Sequence, residues 1–200
     1  MDHSREFLER LLDVIEKDIA PKTSTAVQEG NKLFGAAVLR KKDLSLICAD
    51  TNKETEWPLL HGEVSCLRTL NSMPVSEQPP AKDCYFIATH EPCSLCLSAI
   101  TWSGFDNFYF LFSYSDTKDA FNIPHDLKIL KEVFKCDHGS YAHSNAYWTS
   151  YDIVKFIDAL PNQQDKEALH RRVVGLKEQY NHMSEVYQQH KKEGNRIPLN

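Results

Sequence analysis

Two short segments carry the residues that could do chemistry: HGEVS, which begins at residue 61, and HEPCSLC, which begins at residue 90. Cys93 and Cys96 form a C-x2-C pair, and His61 lies about thirty residues earlier. One imidazole and two thiolates are the donors Zn2+ prefers. Three protein ligands leave the fourth tetrahedral position for water, which marks a catalytic site rather than a closed structural one. Glu63 stands two residues from His61. It is not needed as a ligand, and it is placed to take a proton from water at the metal and pass it on. A C-x2-C pair by itself has two other readings. It is either a redox pair or a structural zinc corner, with Cys48, Cys66, Cys84 or His90 completing a closed tetrahedron. H-x-E followed by P-C-x-x-C at the head of a helix, with a strand directly before it, is far more restrictive and favours catalysis.

These residues can meet only if two separate helix starts face each other, and the periodicity supplies that arrangement. LFGAAVLR (33–40) and LSLICA (44–49) read as neighbouring strands joined by a tight charged connection. The polar segment DTNKETEWPLL reads as a loop. From residue 61, Val64, Leu67 and Leu70 give a helical spacing, and a Pro-rich connector follows. CYFIAT (84–89) is a third strand that runs into a helix whose first turn suits Pro92, and NFYFLF (107–112) is a fourth. DLKILKEVF is a further helix. Tyr109, Phe110 and Phe112 alternate along their strand, so at least one face is core and at most one ring borders a pocket. Strands alternating with helices predict one sheet with helices on both faces. Both ligand-bearing helices then start at the same sheet edge, where a helix amino terminus favours thiolate over thiol.

At the two ends of the chain, Leu8, Leu11, Leu12, Ile15 and Ile19 predict an amphipathic first helix that Pro21 ends. Leu169, Val173, Leu176, Tyr180, Met183 and Tyr187 form a stripe of five helical turns. That long carboxyl-terminal helix, over about 161–192, either packs across its own domain or forms a dimer contact. With 42% apolar and 26% charged residues, the 200-residue chain is expected to form one domain around a full core. No apolar run approaches the roughly 18–20 residues of a membrane span, and the charged amino terminus lacks a signal-peptide core, so a cytoplasmic location is expected. In that reducing setting the six cysteines are thiols or metal ligands. Cys66, Cys84 and Cys136 are expected to behave as small apolar residues, and His138 and His143 as solvated loop residues. A net charge of −5 argues against a broad phosphate-binding surface, leaving only scattered lysines such as Lys41, Lys42 and Lys53.

H-x-E with P-C-x-x-C is the pattern of the zinc deaminases, and residues 26–135 resemble the cytidine deaminase superfamily. The resemblance is to the branch holding guanine deaminases, fungal cytosine deaminases and tRNA adenosine deaminases. LFGAAVLR looks like the opening strand of that family. HGEVS is similar to the cytosine deaminase form of the ligand motif, in which many relatives have Ala in place of Gly62. EPCSLCLSAITW is similar to the guanine deaminase form, and DTKDAFNIPHDLKILKEVF resembles the guanine-type tail that closes over the substrate. The resemblance implies a three-layer α/β/α sandwich with a central mixed sheet, and one Zn2+ per chain on His61, Cys93 and Cys96 with Glu63 as the catalytic residue. It implies substrate contacts from Asn52, Gly62, Trp102 and Asp126, with His125 beside the last. It also implies a homodimer.

The function so implied is hydrolytic removal of the exocyclic amine of a free nucleobase or nucleoside, of guanine or cytosine type, as ammonia. Two alternatives stand beside it. An RNA-editing deaminase requires a basic rim, and a non-catalytic zinc scaffold has no chemical need for Glu63.

Overall fold

The computed structural model describes residues 3–199. Its first helix, α1 (Arg5–Val14), starts at Ser4, whose side chain accepts from the Phe7 amide. The helical path does not end at Pro21. A π-helical turn (Ile15–Ile19) leads directly into α2 (Ala20–Gln28), with Pro21 in the first turn of α2. There its missing N–H is not needed, and the wider π turn relieves the clash that proline makes inside a regular helix.

Strand β1 (Gly35–Arg40) and β2 (Leu46–Thr51) follow, then α3 (Gly62–Asn71), β3 (Cys84–His90), α4 (Ser94–Trp102) and β4 (Asn107–Phe112). Next come α5 (Tyr114–Asp119), α6 (His125–Phe134), β5 (Thr149–Asp152), α7 (Ile153–Asp158) and α8 (Gln163–Lys192). The sheet order is β2-β1-β3-β4-β5. β1 is antiparallel to β2 and β3, whereas β3, β4 and β5 are mutually parallel, so the sheet is mixed.

The pleat divides the core in two. Ala36, Val38, Phe86, Phe108 and Phe110 point to one face, where Cys66, Leu67 and Leu70 of α3 and Ile100 of α4 cover them. Ala37, Leu39, Ile87, Tyr109 and Leu111 point to the other, beneath α1, α2, α7 and α8. The result is the three-layer sandwich expected. β4 is buried on both faces, and none of its aromatic rings borders the cavities described below. β5 escapes sequence reading because TSYD has no apolar run; it pairs at the sheet edge through its backbone.

The stripe on α8 is buried inside the chain: Leu169, Leu176, Tyr180, Met183 and Tyr187 all belong to the core shared with α1 and α2. Arg172 fastens the helix at its exposed side, donating to both carboxylate oxygens of Glu16 (3.0 and 2.6 Å) and to Asp13 (2.7 Å). The self-packing alternative therefore accounts for the stripe. Among the described residues no helix is long and apolar enough to cross a membrane. His138 and His143 are exposed as expected, whereas Cys136 is only half-buried.

Asp50 ties β2 to α3. Its carboxylate accepts from the Thr69 hydroxyl (2.7 Å), the Lys53 ammonium (2.9 Å) and the Thr51 amide (2.8 Å). Burial alone raises its pKa, but these three donors outweigh burial and hold it below the ordinary 3.8. A carboxylate depressed in the folded state stabilises the protein above its unfolded pKa, and that stability is lost as the pH falls through the folded value. Asp50→Asn is expected to cost about 2 kcal/mol at neutral pH. Urea unfolding of this variant between pH 7 and pH 3 should show a shallower acid loss than the wild-type chain.

Candidate active site

The site lies where α3 and α4 begin. His61 is the N-cap residue of α3 and Cys93 the N-cap residue of α4, and Cys96 lies one turn into α4. His61 Nδ1 is 3.4 Å from Cys93 Sγ and 3.7 Å from Cys96 Sγ, and the two sulfurs are 3.7 Å apart. Tetrahedral zinc, with Zn–S near 2.3 Å and Zn–N near 2.0–2.1 Å, separates S from S by about 3.8 Å and S from N by about 3.6 Å. The three donors therefore fit the ion. The addition of His61 at the spacing a tetrahedral ion imposes favours the metal reading over a redox pair, which needs only the two thiols.

The closed-tetrahedron alternative fails. Among the described residues the cluster of possible ligands is His61, Cys93 and Cys96 alone. Cys48 and Cys66 face each other at 3.8 Å under α3, and Cys84 turns to the Pro80 carbonyl. His90 is directed to the Thr89 hydroxyl, and burial pushes its pKa down to about 3.

Glu63 is buried beside the cluster, its Oε2 accepting from Cys96 Sγ at 3.2 Å. Burial first, and the neighbouring Cys93 thiolate second, push its pKa up to about 7. Cys93 itself is held well below the usual thiol range, chiefly by the hydrogen bond from Cys96 and also by His61. Two cavities meet here. A small inner one is walled by Glu63, His90, Glu91 and the ligands. An adjoining one of about 280 Å³ shares Phe34, His61, Cys93 and Asp126 with it, and is closed by Leu59, Leu95, Ile129 and Leu199.

The structure gathers some of the other expected residues and separates others. Asp126, in the first turn of α6, lines both cavities. Burial, then Cys93, push its pKa up to about 8. His125 lines the larger cavity. Gly62 is buried against the start of β1, where a Cβ would sit 2.6 Å from the Phe34 carbonyl oxygen and 2.7 Å from Gly35 Cα. Asn52 is buried outside the cavity walls. Its Oδ1 accepts from the amides of Lys32 (3.3 Å) and Glu54 (3.1 Å), and its Nδ2 donates to Glu54 Oε2 (2.6 Å). Trp102 is not brought to the site. It is 91% exposed at the last residue of α4. At 1.5 Å per residue it stands roughly 13 Å along the helix from the Cys93 end.

Sequence reasoning missed Lys32, Glu54 and Glu91. Glu54 Oε1 faces His61 Nε2 at 3.7 Å and accepts from Lys32 Nζ at 3.0 Å. Glu91 accepts from the Tyr114 amide (3.0 Å) and the Tyr141 hydroxyl (2.9 Å), so it fastens the segment after β4 to the site. Its place inside HEPCSLC was the one available signal. Lys32 and Glu54 lie in two loops with no motif.

Residues 13–112 match the family described as the cytidine and deoxycytidylate deaminase zinc-binding region. The chain belongs to this deaminase family. Solved structures similar to this deaminase include a guanine deaminase from Nitrosomonas europaea, 16% identical, with 85% of this chain and 84% of that one covered and a TM-score of 0.48. Another is a guanine deaminase from Bacillus subtilis, 25% identical, with 60% and 70% covered and a TM-score of 0.44. A third comes from work on A-to-I editing by tRNA:A34 deaminases, 17% identical, with 72% and 96% covered and a TM-score of 0.45. No curated protein matches the chain.

At Gly62 a methyl group would meet backbone rather than a movable side chain. Gly62→Ala is expected to push the start of α3 away from β1. It should cost about 1–3 kcal/mol in stability and weaken zinc binding about 10- to 100-fold through His61. Chelator competition and thermal unfolding check both effects.

Proposed function

We propose that this chain is a zinc-dependent hydrolytic deaminase, holding one zinc ion and releasing the exocyclic amine of a free nucleobase or nucleoside of guanine or cytosine type as ammonia. The observation that carries the reading is Glu63. A carboxylate buried beside a three-ligand cluster, with a pKa near neutrality and a cavity opening in front of it, has no use in a purely structural zinc corner.

His61, Cys93 and Cys96 would hold the metal. Zinc so held supplies the Lewis acidity that makes water a nucleophile near neutral pH. Hydrolysis replaces the bond between the ring carbon and the exocyclic nitrogen by C=O, consumes one water and releases one ammonia. Two protons must therefore travel from water to the ring nitrogen and the departing amine. Glu63, buried beside the ligands, is the carboxyl group placed to accept and return these protons. Glu54 faces the outer nitrogen of His61 and orients the ring. The cavity of about 280 Å³ with its largely apolar wall has room for a planar ring.

The RNA reading has less support. Lys41 is engaged by both oxygens of Asp106 (2.7 and 2.8 Å) and Lys53 by Asp50 (2.9 Å), so neither offers an unpaired charge to phosphate. Any self-association would use a surface other than the α8 stripe.

Glu63→Gln should lower ammonia release from the preferred base by about 10²- to 10⁴-fold while the protein still carries one zinc per chain by metal analysis. Removing zinc with a chelator should abolish release by the wild-type chain, and adding zinc back should restore it. Activity of Glu63→Gln equal to wild type would refute the mechanism.

A further inference from the structure

Lys32 has more hydrogen-bonding capacity than the protein uses. Its side chain is only 6% exposed and its partner Glu54 only 3%. Among the described residues the Lys32 ammonium has one polar partner, Glu54 Oε1 at 3.0 Å, yet an ammonium carries three donors. Buried donors without acceptors are costly, so their persistence calls for a partner. Both Lys32 and Glu54 line the cavity in front of the ligand cluster, and Glu54 Oε1 lies 3.7 Å from the ligand His61. The pair is held rigidly. Asn52 accepts from both backbone amides with one end of its side chain and donates to Glu54 with the other.

We infer that Lys32 and Glu54 form the specificity edge of the cavity, reading a lactam group, O=C–N–H, on the substrate ring. The ring carbonyl accepts from Lys32 and the ring N–H donates to Glu54. This rests on the deaminase reading above and narrows it to amino-heterocycles that also carry an oxo group beside a ring N–H. Guanine and free cytosine have that edge; adenine does not. A neutral edge fits better than a phosphate or carboxylate, because Lys32 faces the carboxyl groups of Glu54 and Asp126 in the wall, with Glu63 behind them. Asn52 acts on the substrate through this pair, so it is a positioning residue.

The test compares rings that differ only in the lactam edge, the oxo group with its adjacent ring N–H: guanine with 2-aminopurine, and cytosine with 4-aminopyrimidine. Ammonia release (kcat/KM) and calorimetric Kd are measured on the zinc-loaded wild type and on Lys32→Met. The wild type should prefer the oxo ring of at least one pair. Lys32→Met should lose about 10- to 100-fold with that ring, as expected for a hydrogen bond to a charged group, and almost nothing with its oxo-free partner. Equal losses on both rings, or a wild type indifferent to the oxo group, overturn the proposal. Lys32→Met leaves Glu54 buried without its partner, so the double variant Lys32→Met, Glu54→Gln repeats the comparison without an orphaned charge. Oxo-selective binding that depends on Lys32, with no turnover of any ring, upholds the recognition edge and refutes the deaminase reading. Neither binding nor turnover of any of the four rings overturns both.

Discussion

Two helices begin at one edge of the sheet, and each gives the side chain of its first residue to the ligand cluster instead of to its own backbone. α1, α7 and α8 start at Ser4, Asp152 and Asn162, whose side chains accept from the first amides of their helices, and α5 starts with a reciprocal capping box at Ser113. α3 and α4 start at His61 and Cys93, and neither side chain caps. Those two helix ends forgo a contact usually worth about 1 kcal/mol each. In return their uncapped amides point positive potential at the cluster, which favours thiolate at Cys93. The site thus goes without the side-chain caps that α1, α5, α7 and α8 have, a local departure of the kind functional sites commonly show.

Holding two uncapped helix ends together requires the sheet beneath them to be close and stiff. Gly62 lies against Gly35 with no room for a Cβ, and Gly35 in turn leaves no room between β1 and Ile19. Contact therefore runs from the ligand helix α3, through the first residue of β1, to the amino-terminal helical layer. Thr89 continues it sideways, accepting from the Gly35 amide at 3.0 Å, one residue before His90 and four before Cys93. The ligands of α3 and α4 are in this way referred to the same point on β1.

The sequence made the ligands legible because His, Glu and Cys at these spacings have few other uses, and because a strand running into a proline-led helix predicts where the thiols point. It made the layers legible because strands alternate with helices along the chain, and because β1 and β4 are apolar at consecutive positions, as strands covered on both faces must be. It did not reveal the Lys32–Glu54 pair, since two loop residues 22 positions apart acquire meaning only once the Asn52 amide ties their backbones together. Asn52 was singled out for a substrate contact, and the structure commits its side chain to that loop. Trp102 was singled out by analogy with a motif, but helical rise carries it away from the end of α4 where the thiols lie. Pro21 misled because a π turn, which leaves no mark in hydrophobic periodicity, removes the clash that would have ended the helix.

The carboxyl-terminal helix, farthest in sequence from the ligands, completes their surroundings. Tyr180 of α8, with Phe34, Phe112 and Phe121, encloses the ring of His90, which is 3% exposed. Without α8 one of the four rings around that imidazole would be missing. Enclosed, the imidazole has its pKa pushed down to about 3 by burial, so it is uncharged near neutral pH. A neutral His90 adds no positive charge to the inner cavity wall that it shares with Glu63. The long helix thereby protects a protonation state as well as an apolar core.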